Sequence, residues 1–135
     1  MRSNLSFINV YKKKSTKSKI VTQLLYGDTF KKLKRTGSWI MIKNDTDNYK
    51  GYIKNNKFTN NQKNTHKICT IFATLYSKPN SKKKIKRKLS FGSKIKVLKK
   101  GASFYKFDNL WINKKDLQEI SIINKNLFNN INKFK

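Results

Sequence analysis

One sequence pattern occurs twice in this chain of 135 residues. The segments LLYGDTFKKL (24–33) and LSFGSKIKVL (89–98) each carry a leucine three residues before a glycine, an aromatic residue directly before that glycine and a leucine six residues after it. They align at an offset of 65 positions, whereas GYIKNNKF (51–58) and LWINKKDL (110–117) align at an offset of 59. A duplication with about six more residues in the first copy, around NDTDNYK (44–50), accounts for both offsets.

Each copy has the pattern of a short-stranded β-structure. In the first copy, residues 7–11 alternate between apolar and polar side chains, a basic loop (12–19) follows, and SWIMI (38–42) and YKGYI (49–53) are further strand candidates. The second copy repeats this scheme with ATLYS, KIKVL, FYKF and LWI. Several short strands in roughly 55 residues, with no helix between them, predict one small barrel per copy.

The predicted organisation is all-β, followed by a different tail. It comprises a first barrel over residues 1–59, a polar linker over 60–67, a second barrel over 68–117 and a tail over 118–135. In the tail, apolar residues recur every three or four positions, which is helical periodicity. These residues are Ile120, Ile123, Leu127, Ile131 and Phe134. We expect a short amphipathic helix that packs on the barrels or docks onto something further along the chain.

The formal net charge of +27 comes from 33 basic residues and six acidic ones. Only Arg2, Arg35 and Arg87 are arginine, whereas recognition of phosphates and base edges favours the bidentate arginine fork. Three explanations stay open: a lysine-rich proteome encoded by an A/T-rich genome, binding to nucleic acid, and attraction to an anionic cell-wall polymer.

Cys69 is the single cysteine and His66 the single histidine. One cysteine excludes an internal disulfide and a cysteine-rich zinc site, and nothing in the sequence indicates a cofactor. Residues three positions apart on a strand or loop rarely form a nucleophile–base pair, and no third orienting group is evident. We expect Cys69 to be a buried strand residue, His66 to be a solvated linker residue, and the chain alone to hydrolyse nothing.

The N-terminal sequence MRSNLSFINVYKKK lacks the apolar run of a secretory signal, and no stretch approaches the length of an apolar membrane span. The default prediction is therefore a cytoplasmic protein. If the N-terminus is incomplete, a periplasmic or cell-wall location is the alternative.

The first copy combines an aliphatic-x-Tyr start, a Ser-Thr-x-Ser loop, IVTQLLYGDTF, GSW and YKGYI. This combination resembles bacterial SH3 domains, in particular the tandem pair that precedes the NlpC-type cysteine peptidase domain of bacterial dipeptidyl-peptidases. The second copy, with LYSKPNS, SFGS and LWI, resembles the second domain of that pair, so the resemblance covers residues 5–117. It implies two tandem SH3-like barrels, from enzymes that cleave between D-glutamate and a diamino acid in cell-wall stem peptides. The Trp-Gly-Gly and Asp-Cys-Ser motifs of the peptidase domain are absent, which implies a non-catalytic part of such an enzyme.

The resemblance also implies a ligand site in the first barrel. There, an acidic residue and a tyrosine hold the free amine of the alanine that begins the stem peptide, and these roles fall on Asp28 and Tyr49. A carboxylate neutralises an ammonium group and a tyrosine face adds cation–π attraction. Asp28 also fits a turn residue that hydrogen-bonds its own backbone, and Tyr49 fits ordinary loop packing.

Trp39 and Tyr52 are candidate aromatic contacts for the same ligand. Trp39 and its counterpart Trp111 also fit positions in the core or between the barrels, which is the interpretation we favour for the two tryptophans.

Two hypotheses of function follow. The first is a module that binds the peptidoglycan stem peptide and cooperates with a separately encoded NlpC-type peptidase domain, through the stripe of Ile120, Ile123, Leu127 and Ile131. The alternative is a basic small-barrel protein that binds nucleic acid. Phosphate-driven binding weakens steeply with salt, whereas capture of one amine weakens much less, so salt dependence separates the two.

Overall fold

A computed structural model describes residues 1–120 of the chain. The chain divides into two compact units, Met1–Gln62 and Lys63–Lys135. The described residues form antiparallel β-strands and two short 3-10 turns, so the all-β prediction is confirmed. None of these residues belongs to a helix long and apolar enough to cross a membrane.

The first unit is a single five-stranded antiparallel sheet with the strand order β2-β1-β5-β4-β3. Its core forms because successive side chains of a strand point to opposite faces of the sheet. Along β4, Ile40 and Ile42 are buried, while Trp39 and Met41 are half-buried on the opposite face. The buried core residues are Val10, Leu24, Phe30, Ile40, Ile42, Ile53 and Phe58. The strands are β1 (Phe7–Tyr11), β2 (Ile20–Leu25), β3 (Phe30–Thr36), β4 (Trp39–Asn44) and β5 (Lys50–Lys54).

The second unit has a five-stranded sheet in the order β10-β11-β12-β7-β8 and a three-stranded sheet in the order β13-β6-β9. Its buried apolar residues are Ile68, Ala73, Leu75, Leu89, Ile95, Phe107 and Ile112. Its strands are β6 (His66–Ile68), β7 (Phe72–Tyr76), β8 (Lys84–Ser90), β9 (Lys94–Ile95), β10 (Lys99–Lys100), β11 (Phe104–Phe107), β12 (Leu110–Asn113) and β13 (Leu117–Glu119).

The two five-stranded sheets share one internal arrangement. At the offset of 65, β1 corresponds to β7 and β2 to part of β8, while β5 and β12 correspond at the offset of 59. The turn glycines agree as well: Gly27 has a φ of 85° and Gly92 a φ of 93°, a backbone region in which glycine has no steric penalty. Their N–H groups donate to Ser3 O and to Ile68 O, two further residues that are 65 positions apart.

The sheets differ in one hairpin. The last pair of β4 and β5 that has a counterpart in β11 and β12 is Ile42–Gly51, and one further pair, Lys43–Lys50, belongs to the remaining hairpin residues 43–50. In the second unit the pair Phe107 and Leu110 leaves only residues 108–109. The difference of six residues equals the difference between the two sequence offsets.

Two predictions at the start of the second unit are wrong. His66 is 5% exposed on β6, inside the segment predicted as a linker, because β6 pairs with both β9 and β13. Cys69 follows the last residue of β6 and is exposed, so it is not a buried strand residue. Of the apolar run ICTIF, Ile68 is buried whereas Ile71 and Phe72 are exposed.

The predicted tail begins as a strand rather than a helix. Leu117–Glu119 form β13 and pair with β6, and the N–H of Ile120 donates to Thr65 O. The remaining stripe residues Ile123, Leu127 and Ile131 lie outside the described residues.

Candidate functional site

Asp28 lies in the turn between β2 and β3. Its Oδ2 accepts a hydrogen bond from the N–H of Leu25 at 2.8 Å, and its carbonyl oxygen accepts one from the N–H of Ser3 at 2.8 Å. Asp28 is thus a turn residue whose side chain hydrogen-bonds nearby backbone, which is the second of the two roles considered for it from the sequence. An ionised carboxylate has about four lone-pair sites, so this role is compatible with binding a cation as well.

The hairpin loop between β4 and β5 carries Tyr49. The loop is closed by a hydrogen bond from the N–H of Asn44 to Tyr49 O at 2.9 Å, and Asn48 adopts a left-handed conformation with a φ of 60°. Asp47 Oδ1 accepts the N–H of Tyr49 at 3.0 Å, which orients the Asp47 carboxylate next to the tyrosine. Tyr49 is 57% exposed, so more than half of its surface is open to solvent.

The β2–β3 turn and the β4–β5 loop meet at one end of the sheet. The N–H of Asp45 donates to Thr29 O at 3.2 Å, directly after Asp28 in the chain. Asp28, Asp45 and Asp47 are all the acidic residues among the first 62. We call Asp28, Asp45, Asp47 and Tyr49 the acidic end of the first unit. In a chain with a net charge of +27, these carboxylates provide a local binding position for a cation.

The outward face of the same sheet carries aromatic side chains. Tyr11 pairs with Tyr52 across β1 and β5, and Tyr52 pairs with Met41 across β5 and β4. The rings of Tyr11 and Trp39 are in edge-to-face contact, with centroids 5.9 Å apart. We call Tyr11, Trp39, Met41 and Tyr52 the aromatic face of the first unit. All four are half-buried, and Trp39 is not one of the buried core residues. The other expected position of Trp39, between the barrels, stays a prediction.

One cation already occupies part of the aromatic face. Lys54, which is paired with Trp39 in the register, places its Nζ 4.4 Å from the centroid of the Trp39 ring. Tyr52 follows Tyr49 by three residues, or about 10 Å along a strand, so the acidic end and the aromatic face adjoin. A ligand with an ammonium terminus and an extended chain fits this arrangement.

The thiol and the imidazole do not form a catalytic pair within residues 1–120. The Cys69 thiol donates to Lys115 O at 3.8 Å, and His66 Nδ1 contacts Thr65 Oγ1 at 2.7 Å. Burial lowers the pKa of His66, with Glu119 acting to raise it and Lys100 to lower it. No cluster of three or more His, Cys, Asp or Glu side chains suited to a metal occurs in the part of the chain that the structure describes.

Comparison with known proteins shows what the first unit is similar to. Residues 4–58 match the family model of the bacterial SH3 domain. The acidic end and the aromatic face both lie inside the matched residues. No curated protein sequence matches the chain.

One similar solved structure is the crystal structure of an NlpC/P60 family protein from Bacillus cereus. It superposes with a TM-score of 0.71 at 15% sequence identity, over 87% of this chain and 55% of that protein. At this identity the similarity shows the fold, which is SH3-like, and the chain spans about half the length of that protein.

The sequence analysis did not assign several of these residues to the site. Asp45 and Asp47 belong to the extra hairpin residues that the change of offset had located, but no role was assigned to them. Tyr11 and Met41 are outward positions of alternating strands, and pairing β1 and β4 with β5 from the alternation would have identified them.

Proposed function

We propose that the chain is a non-catalytic, cell-wall-associated SH3 module that holds the amino-terminal end of a peptidoglycan stem peptide. In this proposal the two units are two SH3-like barrels derived by duplication, and the first one binds the peptide. The equal strand order of the two sheets and the equivalent turn glycines support the duplication. The outside location that a cell-wall ligand requires remains a prediction.

The observation that carries the proposal is the acidic end of the first unit. Asp45, Asp47 and the exposed Tyr49 lie on the β4–β5 loop, and the N–H of Asp45 bonds to Thr29 O, next to Asp28. The corresponding hairpin of the second unit is six residues shorter. An ammonium group at this end meets carboxylates and a tyrosine face together. A stem peptide that begins with a free alanine amine supplies such a group.

Bond cleavage is assigned to a partner. The chain matches 55% of an NlpC/P60 family protein, and we propose that an NlpC-type peptidase domain acts on the peptide that this module holds. Docking of that domain on the stripe of Ile120, Ile123, Leu127 and Ile131 is part of the proposal.

The test uses isothermal titration with the peptide L-Ala-γ-D-Glu-diaminopimelate and with its N-acetylated form. The free amine should bind, and acetylation should abolish the heat because it removes the ammonium charge. Asp28→Asn should weaken binding by about ten-fold, since it removes the charge and keeps an oxygen for the N–H of Leu25. Tyr49→Ala should weaken binding by about five-fold through the lost ring face.

A matched control is Asp108→Asn, which makes the same charge change in the second unit and should leave the affinity unchanged. Equal affinity for the free and acetylated peptides, or no binding by the wild type, would contradict the proposal. A steep fall in affinity with salt would point to phosphate-type binding instead.

A further inference from the structure

The second unit carries a row of side chains that the proposed function does not use. Residues directly opposite one another on neighbouring antiparallel strands lie on one face of a sheet. The pairs Lys99–Lys106, Lys106–Trp111, Trp111–Tyr76 and Tyr76–Lys84 therefore form one continuous row across all five strands. With strands about 4.8 Å apart, the row is about 19 Å long. We call these five residues the lysine–aromatic row.

This row lies on the face away from the core. Ile112 and Leu75 are buried, whereas their strand neighbours Trp111 and Tyr76 are half-buried. The Tyr76 ring is held by an edge contact to Phe104, with centroids 5.0 Å apart. The two aromatic side chains thus form a supported platform that is accessible to a ligand.

The charge of the row is entirely positive. Lys84 and Lys99 are exposed, Lys106 is half-buried, and within residues 1–120 none of these three lysines takes part in an ion pair. No acidic residue occupies the row. The position that corresponds to Asp28 at the offset of 65 is Ser93, which is fully buried, so the carboxylate of the first unit has no counterpart here.

The corresponding row of the first unit has a different chemistry. It runs through Lys34, Met41, Tyr52, Tyr11 and Ile20, with one lysine at an edge and apolar residues beside the tyrosines. The aromatic pair is thus common to both units, whereas lysines flank it on both sides only in the second. A neutral or cationic ligand gains nothing from these lysines, but an anionic one does.

We propose that the lysine–aromatic row is a second ligand site, and that it binds an anionic glycan. A sugar ring packs its apolar face on Trp111 and Tyr76, and carboxylates or phosphates on both sides meet Lys84 and Lys106. The site is independent of the peptide site of the first unit, so either proposal can fail without the other.

Two observations favour a glycan over single-stranded nucleic acid. The charges of the row are all lysine ammonium groups, which attract anions but lack the planar fork that reads base edges. The rings form one cluster, in which Trp111 is opposite Tyr76 and the Phe104 ring contacts the edge of Tyr76, whereas non-specific binding of a single strand uses successive stacking positions along a groove.

The experiment measures binding of the full chain to polygalacturonate, with uncharged dextran as the second arm and an oligothymidylate as the third. We expect binding to polygalacturonate and none to dextran. Trp111→Ala should weaken the affinity by about ten-fold and Lys106→Met, which installs the residue of the first unit, by about five-fold. Lys84→Ser changes an exposed residue, so it should fold, and it should also weaken the affinity for polygalacturonate. It tests the same site if Trp111→Ala does not fold.

Two control variants separate the row from general charge attraction. Tyr52→Ala removes the equivalent ring of the first unit, and Lys14→Met removes one charge from an exposed loop; both should bind polygalacturonate like the wild type. Failure to bind polygalacturonate, or equal losses in Lys14→Met and Lys106→Met, would overturn the proposal. Tighter binding of oligothymidylate that depends on Trp111 would overturn it in favour of nucleic acid.

Discussion

A substitution at Gly51 tests quantitatively how tightly β1 and β5 pack against each other. A Cβ added at this position would lie 2.5 Å from Val10 Cγ1, 2.9 Å from Tyr11 O and 3.2 Å from Val21 Cγ2. Val10 is fully buried, so its side chain has no room to turn away, and Tyr11 O is backbone. Gly51→Ala therefore has to displace β1, which also shifts Tyr11 away from Tyr52 on the aromatic face.

The expected loss follows from two opposing effects. Overpacking a well-packed core costs about 1–3 kcal/mol, and the contact with backbone places this site at the upper end. Replacing glycine by alanine also restricts the unfolded chain, which offsets about 0.5 kcal/mol. We therefore expect Gly51→Ala to lower the free energy of unfolding by about 2.5 kcal/mol.

Gly37→Ala is the matched control. A Cβ at Gly37 meets nothing within 4 Å. The φ of 62° at Gly37 still makes alanine unfavourable by about 1 kcal/mol, and the restriction of the unfolded chain offsets about 0.5 kcal/mol of this cost. Urea denaturation in a Trp111→Phe background lets Trp39 fluorescence report the first unit. A loss for Gly51→Ala below about 0.5 kcal/mol, or below that for Gly37→Ala, would refute this account of the packing.

Two further predictions concern the second unit. Burial lowers the pKa of His66 from its usual value of 6.5. Because the unfolded chain then binds more protons than the folded one, the free energy of unfolding should fall as the pH drops below about 6.5. His66→Met should flatten this dependence. Thermal melting between pH 5 and 7.5 measures both, and an equal slope in wild type and variant would exclude His66 as the cause. Ending the chain after Asp116 removes Leu117–Glu119, the strand that pairs with β6, whereas ending it after Ile120 keeps that strand. The shorter chain should melt several degrees lower, and equal melting temperatures would mean that this strand contributes little.

Alternation and turn residues were sufficient to predict most of the first unit. Residues 7–11 form β1 as predicted, and SWIMI (38–42) and YKGYI (49–53) each start one residue before a strand, β4 and β5. These strands are amphipathic, so a period of two in the sequence follows directly from one buried face.

The short strands of the second unit could not be found in this way. His66–Ile68 and Leu117–Glu119 have three residues each, too few for a period to appear, and they exist because each pairs with a segment far away in the chain. The burial of His66 is a consequence of that pairing. Polar neighbours such as Asn64 and Lys67 indicate a loop instead.

The candidate site was predicted in part. Asp28 and Tyr49 were named through the family resemblance, but the bond from Asp45 to Thr29 joins their two loops, which are distant in sequence. The structure also gives Asp28 its turn hydrogen bond. Whether it binds an amine stays a prediction that the titration decides.

The unequal hairpins have a consequence for engineering. Ile42 and Gly51 occupy the same register as Phe107 and Leu110, so residues 43–50 form a cassette whose two ends match the second unit. Replacing residues 108–109 with this cassette would place Asp45, Asp47 and Tyr49 on the lysine-rich second unit. Under the proposed function, the grafted second unit should then bind a peptide with a free amine, because the loop and not the sheet beneath it would set the preference for a cationic ligand.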